Sequence, residues 1–328
     1  MDIENHLQIV YKKMPKQVKD NLILLTYGGS HAYGTNVETS DIDLRGVCLN
    51  TKEQLLGLDN FEQWVDIETD TTIYSFNKLV SLLINCNPNV IEILGCNPEH
   101  YIVLTSLGKK LLDNAKLFLS QKAIYSFGGY ATSQLRRLQN AISRDSNNEQ
   151  KEQHITNTIK NMKTHLNEHY KSFGVDNLNI YLDDSHREEL NKEVFIDINL
   201  KHYPLRDFRD IQSEMIAVIK SYETIGKRNN KKTEEKLSKH AMHLIRLHLM
   251  LIDILEKQEI KTFRHNDIEL LMKIRNGEIE FDEIFKMVDG FESIEEELKN
   301  TTSLPVKIDY DKINKFIIDV NLEAVRKG

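Results

Sequence analysis

An apolar run that ends at two glycines constrains the fold of this chain more than any other feature. Residues 22–27, LILLTY, have the composition of a buried β-strand, and the glycine pair marks a tight turn after it. After a short polar stretch, residues 41–49, DIDLRGVCL, alternate charged and apolar side chains, which is the period of a strand. The pattern therefore predicts a strand, a glycine turn and a second strand that presents Asp41 and Asp43 on one face.

A third strand is predicted at residues 61–74, FEQWVDIETDTTIY, because this segment also alternates. Its polar face would carry three acidic side chains, any of which could approach the aspartates of the preceding strand. Spacing alone does not distinguish among these three, which are Asp66, Glu68 and Asp70.

Helical patterns dominate the rest of the chain. Residues 78–85 predict a helix, and Asn87-Pro88 supplies the N-cap and the first-turn proline of the next helix. From about Leu117 onward strand signals nearly vanish. Apolar residues with helical spacing recur instead in four long segments, at 120–142, 151–171, 208–225 and 233–257.

Charge and composition exclude several classes of protein. The 328 residues include 43 Lys and Arg against 50 Asp and Glu, a net charge of −7, which argues against a protein that coats duplex DNA with a uniformly basic surface. No apolar run approaches the roughly 20 residues that span a bilayer, and the first residues lack the order of a signal peptide. We therefore expect a cytoplasmic protein without a membrane partner, and the sequence assigns no oligomeric state.

The glycine turn and the two aspartates have the residue types that phosphoryl transfer requires. Carboxylates two residues apart on a strand can hold two divalent cations about 4 Å apart, which clamp the attacking and leaving oxygens. Gly29 permits close approach of the backbone to a phosphate, and the Ser30 hydroxyl can donate a hydrogen bond to the phosphate oxygens. Gly34 and Thr35 are predicted to extend this phosphate cradle.

Four motifs resemble a known superfamily. The run GGSHAYGT followed by SDIDLRG resembles the DNA polymerase beta-type nucleotidyltransferase superfamily, which is marked by a GS turn followed by DxD. Together with DTTIYSFNKLVSLL and NPNVIEIL, these segments resemble the predicted nucleotidyltransferase group of bacteria and phages that includes the RNA repair pathway polymerase beta family. The resemblance is close over residues 22–95 and weaker at 127–138 and 239–247.

The resemblance implies a fold and a domain order. It implies an α+β protein in which a polymerase beta-like nucleotidyltransferase domain with a mixed sheet is followed by a mostly helical domain. The length also favours two domains. The boundary is predicted after residue 118, with a catalytic domain at 1–118 and, at 119–328, a helical domain that closes the cleft and is a candidate to bind the acceptor.

The resemblance also implies a reaction. A nucleoside monophosphate would pass from a nucleoside triphosphate to an acceptor hydroxyl, with RNA 3′ ends favoured, while Mg²⁺ or Mn²⁺ assists and pyrophosphate leaves. By similarity, Asp70 joins Asp41 and Asp43 as a catalytic metal ligand, and Arg45 is expected to contact the nucleotide. The alternatives are a protein or small-molecule acceptor, or a nucleotide or RNA sensor without turnover.

Cationic residues follow one stripe of the helix predicted at 233–257. Lys239, His243 and Arg246 are spaced to share a helix face. One interpretation is a cradle for a triphosphate or an RNA backbone that faces the carboxylates, and the other is a solvated basic face. Tyr33 also has two interpretations, because it could stack on a nucleobase or pack inside the glycine turn.

Overall fold

The computed structural model describes residues 3–143, 178–184, 192–209, 211–213, 215–216 and 234–327. Two compact units divide the chain. One consists of Met1–Leu135 together with Glu234–Gly328, and the other is Arg136–Thr233. The C-terminal region therefore belongs to the same unit as the N-terminal region, while the predicted boundary at residue 118 remains a prediction.

Helices make up most of the first unit. They are α1 (Ile3–Lys13), α2 (Lys16–Asp20), α3 (Gly29–Tyr33), α4 (Lys52–Leu56), α5 (Phe76–Leu83), α6 (Pro88–Ile91), α7 (Ser106–Asp113), α8 (Lys122–Ser143, which continues into the second unit), α9 (Glu234–Lys257), α10 (Ile268–Arg275), α11 (Phe281–Thr301) and α12 (Tyr310–Lys327). Short 3₁₀ turns cover Glu92–Gly95, Pro98–His100 and Ala115–Phe118. Among the described residues, every helix is too short or too polar to cross a bilayer.

The helices predicted before residue 100 are present, although the one predicted at 78–85 begins two residues earlier, at Phe76. The helix predicted at 78–85 is α5, which Ser75 caps by accepting a hydrogen bond from the Lys78 amide. Asn87 caps α6 by accepting from the Asn89 amide at 3.0 Å, directly before the proline. Predicted helices at 120–142 and 233–257 are confirmed as α8 and α9. The segments 151–171 and most of 208–225 lie outside the described residues.

A five-stranded mixed sheet lies at the centre of the first unit. Its strands are β1 (Leu22–Tyr27), β2 (Leu44–Cys48), β3 (Gln63–Asp66), β4 (Thr71–Ser75) and β5 (Tyr101–Leu104). The spatial order is β3-β4-β2-β1-β5, with β2 and β4 parallel and the other neighbours antiparallel. The predicted fold class, α+β with a mixed N-terminal sheet and helices after it, is confirmed.

The central strands β1 and β2 are buried on both faces of the sheet. Leu24 and Val47 belong to a large core shared with α5 to α9 and α12, whereas Leu25 and Leu44 pack into a smaller core with α1 and α2. Successive residues of β1 therefore bury in opposite directions. This explains why the sequence of β1 is a continuous apolar run rather than the alternating pattern of a strand with one solvent-exposed face.

The single strand predicted at 61–74 is wrong, because the segment is a hairpin of β3 and β4. The turn between these strands ends at Asp70, which has a left-handed backbone with φ of 42°. Asp adopts this conformation more readily than most residues, because its short side chain can bond locally. The turn brings Asp70 back toward β2, since the Leu44 amide donates to the Asp70 carbonyl at 3.2 Å.

The second unit contains strands that the sequence did not reveal. An antiparallel hairpin pairs β6 (Leu178–Asp184) with β7 (Lys192–Ile198), and Tyr181 stacks opposite Phe195 with ring centroids 6.1 Å apart. The prediction that strands nearly vanish after Leu117 is therefore wrong for these residues. Cross-strand aromatic pairs of this kind stabilise isolated hairpins.

Candidate active site

A glycine turn at the end of β1 touches the aspartate segment directly. The Gly28 amide donates to the Asp43 carbonyl at 2.8 Å. Gly29 has φ of +52°, and a Cβ placed on it would lie 1.7 Å from Oδ2 of Asp43. Only glycine fits at this position, because any side chain would collide with the Asp43 carboxylate.

Helix α3 begins at this turn and packs inward. Ser30 is 7 % exposed and Thr35 is completely buried. The Thr35 amide donates to the Ser30 carbonyl at 3.0 Å, and Gly34 ends the helix with φ of +73°. Within the described residues, the Thr35 hydroxyl has no hydrogen-bond partner. Gly34 and Thr35 therefore shape the turn from within, and a direct contact of either with phosphate stays a prediction.

The two aspartates of the DxD motif stand at the entrance to β2 rather than inside it. The strand begins at Leu44, and Ile42, between the aspartates, is buried in the smaller core. Asp43 is partly buried, whereas Asp41 is exposed. The expectation that both lie within a regular strand is therefore wrong, although Ile42 anchors the segment that carries them.

Asp70 lies against Asp43. Burial, the negative charge of Asp70 and a hydrogen bond between the two side chains raise the pKa of Asp43 to about 6, while the cations of Arg45 and Lys239 act in the opposite direction. Two carboxylates that contact each other are harder to ionise together than either is alone. The structure thus brings one DxD acid and one acid from the β3–β4 turn to the same place.

The other two acids of the hairpin lie elsewhere. Asp66 forms an ion pair with Lys13 on α1 at 3.2 Å, and Glu68 pairs with the same lysine. Asp66 also accepts a hydrogen bond from the Thr69 hydroxyl at 2.7 Å. Of the three acids that spacing left open, Asp70 is the one placed beside Asp43.

Arg45 orients Asp70 through both its carboxylate and its backbone. Its Nη2 lies 3.1 Å from Oδ1 of Asp70, and its Nη1 donates to the Asp70 carbonyl at 2.6 Å and to the Leu44 carbonyl at 2.9 Å. A guanidinium that bonds backbone and carboxylate together fixes the turn more firmly than a single contact does. Arg45 therefore has a structural task in addition to its predicted contact with a nucleotide.

The convergent carboxylates fit a hard divalent cation. Mg²⁺ and Mn²⁺ prefer carboxylate oxygens, and a cation between Asp43 and Asp70 would remove the repulsion that raises the pKa of Asp43. Among the described residues, no group of three or more His, Cys, Asp and Glu side chains is arranged to hold a metal ion. The contribution of Asp41 as a further ligand therefore stays a prediction.

The cationic stripe of α9 divides into an exposed and a buried part. Lys239 is exposed, and its charge acts on Asp43. His243 is held neutral, because burial first and then the charges of Arg246 and Lys239 lower its pKa to about 3. Lys239 thus fits the predicted cradle, whereas the alternative of a uniformly solvated face does not describe this helix.

Arg246 is 5 % exposed and lies inside the protein. Its Nη1 is 3.3 Å from Oε2 of Glu92, and its guanidinium carbon is 3.6 Å from the centre of the Tyr33 ring. Tyr33 is itself only 5 % exposed, so it packs inside the turn instead of presenting a face to a nucleobase. A direct contact of Arg246 with a nucleotide stays a prediction, and its observed contacts are internal.

Two residues near the site were missed by sequence reasoning. Glu92 is buried beneath the glycine turn, and Arg275, at the end of α10, donates to the Thr35 carbonyl and lies 3.3 Å from the Ser40 hydroxyl. A signal for Glu92 existed, because a lone acid inside the apolar run of NPNVIEIL indicates a buried, paired charge. Arg275 follows an ordinary amphipathic pattern and carried no such signal.

A mixed sheet whose glycine turn faces two convergent carboxylates is typical of polymerase beta-type nucleotidyltransferases. The chain belongs to the RNA repair pathway DNA polymerase beta family, whose family model matches residues 3–319. The resemblance predicted from four motifs is thereby confirmed, and it extends over nearly the whole chain. Membership points to a nucleotidyltransferase. No curated protein and no solved structure matches the chain.

Proposed function

We propose that this protein is a metal-dependent nucleotidyltransferase that transfers a nucleoside monophosphate from a nucleoside triphosphate to the 3′ hydroxyl of an RNA and releases pyrophosphate. The observation that carries the proposal is the approach of Asp43 and Asp70 beside Gly29, where the pKa of Asp43 rises to about 6. Two neighbouring carboxylates lower the stability of the protein when no cation is bound, and they form a binding site when a cation is present.

The position of each residue in the site suggests its role. Asp43 and Asp70 would hold the magnesium or manganese ion, with Asp41 as the predicted additional ligand. When bound, the cation neutralises phosphate charge and polarises the reacting oxygens. Asp70 also accepts a hydrogen bond from the acceptor hydroxyl and assists its deprotonation. Arg45 keeps the Asp70 turn in place through its two backbone contacts.

The triphosphate would lie between the glycine turn and α9. Gly29 leaves room for a phosphate near the carboxylates, and the Ser30 hydroxyl is a predicted donor to it. Lys239 is exposed and its charge acts on Asp43, so it is placed to pair with the β- or γ-phosphate. The whole arrangement orients substrate by electrostatics, which is the main contribution of protein groups to phosphoryl transfer.

RNA is proposed as the acceptor because the family is named for RNA repair. Exposed cations at the start of α9, Lys236 and Lys239, support it, since backbone phosphates bind such groups. Protein and small-molecule acceptors share the same chemistry at the metal site. The acceptor therefore has to be identified by where the label goes.

The test is transfer of label from each of the four α-labelled ribonucleoside triphosphates to pooled cellular RNA, with Mg²⁺ or Mn²⁺. We expect wild-type protein to label RNA with one or more nucleotides, and Asp43→Asn and Asp70→Asn each to lower the rate by roughly 10³-fold or more. Asn is chosen at position 70 because it also tolerates a positive φ.

A matched control lies in the same hairpin. Asp66→Asn removes a carboxylate that pairs with Lys13 and not with Asp43, so it should retain the wild-type rate. If the label appeared on protein instead of RNA, the acceptor would be a protein. Triphosphate binding without any label transfer would favour a sensor and contradict the proposed enzyme.

A further inference from the structure

The proposed chemistry leaves one motif unexplained. In NPNVIEIL, Glu92 is 7 % exposed, and its side chain contacts two groups through one oxygen. Oε2 accepts a hydrogen bond from the Tyr33 hydroxyl at 2.8 Å and lies 3.3 Å from Nη1 of Arg246. The Glu92 carbonyl also accepts from the Thr262 hydroxyl at 2.6 Å. A buried carboxylate with this many partners holds surrounding elements in fixed positions.

The three side chains join elements that are distant in sequence. Tyr33 is the last residue of α3, Glu92 begins a 3₁₀ turn after α6, and Arg246 lies near the middle of α9. The Arg246 guanidinium covers the Tyr33 ring at 3.6 Å, and the His243 ring meets that ring edge-on at 6.0 Å. Because both the polar and the aromatic contacts meet at Tyr33, a shift of α9 along its axis would break several of them together.

The same helix carries Lys239. This lysine precedes Arg246 by two helical turns and lies on the same side of α9, about 10 Å along the axis. Its charge acts on Asp43, which itself touches the Gly29 backbone at the start of α3. The contact of α9 with the end of α3 therefore determines where Lys239 lies relative to the carboxylates.

We propose that Tyr33, Glu92 and Arg246 are positioning residues that fix α9 against the glycine turn, and thereby place Lys239 at the distance from Asp43 and Asp70 that a bound triphosphate requires. This inference rests on the proposed function, because it assigns these residues to the binding of its substrate. None of the three side chains has to touch the triphosphate. Their effect passes through Lys239.

The test uses inorganic triphosphate with Mg²⁺, since this probe avoids the unknown base, and measures its affinity by calorimetry. Tyr33→Phe keeps the ring beneath Arg246 and removes the bond to Glu92, so we expect binding to weaken by roughly three- to thirtyfold. Arg246→Lys, which keeps a charge beside Glu92 but loses the planar stack, should act in the same direction.

A matched control removes a hydroxyl of the same region whose hydrogen bond does not involve α9. The Tyr101 hydroxyl donates to the Ile93 carbonyl at 3.0 Å, one residue after Glu92. Tyr101→Phe should therefore lower the urea midpoint about as much as Tyr33→Phe while leaving the affinity for triphosphate unchanged. If both variants lost affinity equally, general destabilisation would explain the loss, and the proposal would be overturned.

A double-mutant cycle with Lys239→Ala makes the role of the lysine explicit. If Tyr33 acts by placing Lys239, then Tyr33→Phe should weaken binding no further once Lys239→Ala is present. Independent, multiplying losses would overturn the positioning role. Wild-type protein that binds no triphosphate would overturn the proposed function together with this inference, whereas wild-type binding with an unaffected Tyr33→Phe would overturn the inference alone.

Discussion

Two buried or partly buried carboxylate sites in the first unit are built in opposite ways. At the surface of the glycine turn, Asp43 faces a second carboxylate, Asp70, and the like charge contributes to its raised pKa. In the interior, burial raises the pKa of Glu92, but the Arg246 cation and the Tyr33 hydroxyl counteract that shift. At the first site Arg45 and Lys239 offset the burial and the like charge only in part, so the pKa of Asp43 stays raised and a bound cation can supply further positive charge. At the second site the carboxylate is paired with a cation of the protein itself.

This difference separates groups that bind a substrate from groups that hold the fold. A charge pair that is complete within the protein contributes to the folded state, and removing one partner leaves a buried charge alone. A pair of like charges lowers stability until a cation binds. Substitutions should therefore reduce stability strongly at the interior site and weakly, or with the opposite sign, at the surface site.

The largest effect on stability is expected from Arg246→Met. The Glu92 carboxylate would remain buried without its cation, which costs about 3–5 kcal/mol of unfolding free energy. Urea denaturation at pH 7 measures this loss. The double variant Glu92→Gln/Arg246→Met should recover much of it, because a neutral amide can still accept from Tyr33. A single variant as stable as wild type would contradict the idea that this pair is complete within the protein.

A smaller loss is expected where the glycine turn meets the metal-site acids. Gly29→Ala would place a Cβ 1.7 Å from Oδ2 of Asp43 on a backbone with φ of +52°. The left-handed conformation and the forced shift together should cost about 2–4 kcal/mol. Because the Asp43 carboxylate must move, label transfer should fall more than stability alone explains.

Gly28→Ala is the neighbouring control for this variant. A Cβ at Gly28 would lie 3.0 Å from the flexible Arg45 side chain and 3.3 Å from Cβ of Asp43, and the residue has no positive φ. We therefore expect a clearly smaller loss of both stability and activity, measured by the same urea titration and label-transfer assay. Equal losses in the two variants would show that the close approach at Gly29 has no special importance.

Much of the surface site could be predicted from the sequence, because local patterns specify it. The apolar run of β1, the glycines after it and the acids of DxD lie within 22 consecutive residues, 22–43, and each has a local physical signature. Asp70 was assigned by resemblance. Spacing could not select it, because alternation continues through the β3–β4 turn, which contains no glycine, proline or asparagine to mark it.

The interior site was harder to predict because its partners come from distant parts of the chain. Helical spacing placed Lys239 and Arg246 on one stripe of α9, and that geometry is correct. The stripe runs from solvent into the core, however, so its two ends have different environments. The apolar residues one turn away on the same helix face, Met242 and Met250, carried a local signal that Arg246 is buried. Its pairing with Glu92 depends on tertiary packing.

An effect with a distinctive sign is expected from Asp43→Asn in the absence of metal. In the folded protein the pKa of Asp43 is about 6, above its usual value of 3.8, so the folded state binds more protons than the unfolded state between these values. The stability that this group contributes is present below pH 3.8 and is lost as the pH rises through 6. Asp43→Asn lacks this loss, so its urea midpoint should rise relative to wild type between pH 4 and pH 7.

Asp66→Asn should show the opposite trend and completes the comparison. The Thr69 hydroxyl, and then Lys13, lower the pKa of Asp66, so its contribution is present above the unfolded pKa and is lost as the pH falls. Its midpoint should therefore fall relative to wild type at pH 7 and approach it in acid. Parallel trends in the two variants would mean that Asp43 and Asp66 sit in equivalent environments, which would remove the distinction between an acid that awaits a cation and one already paired within the protein.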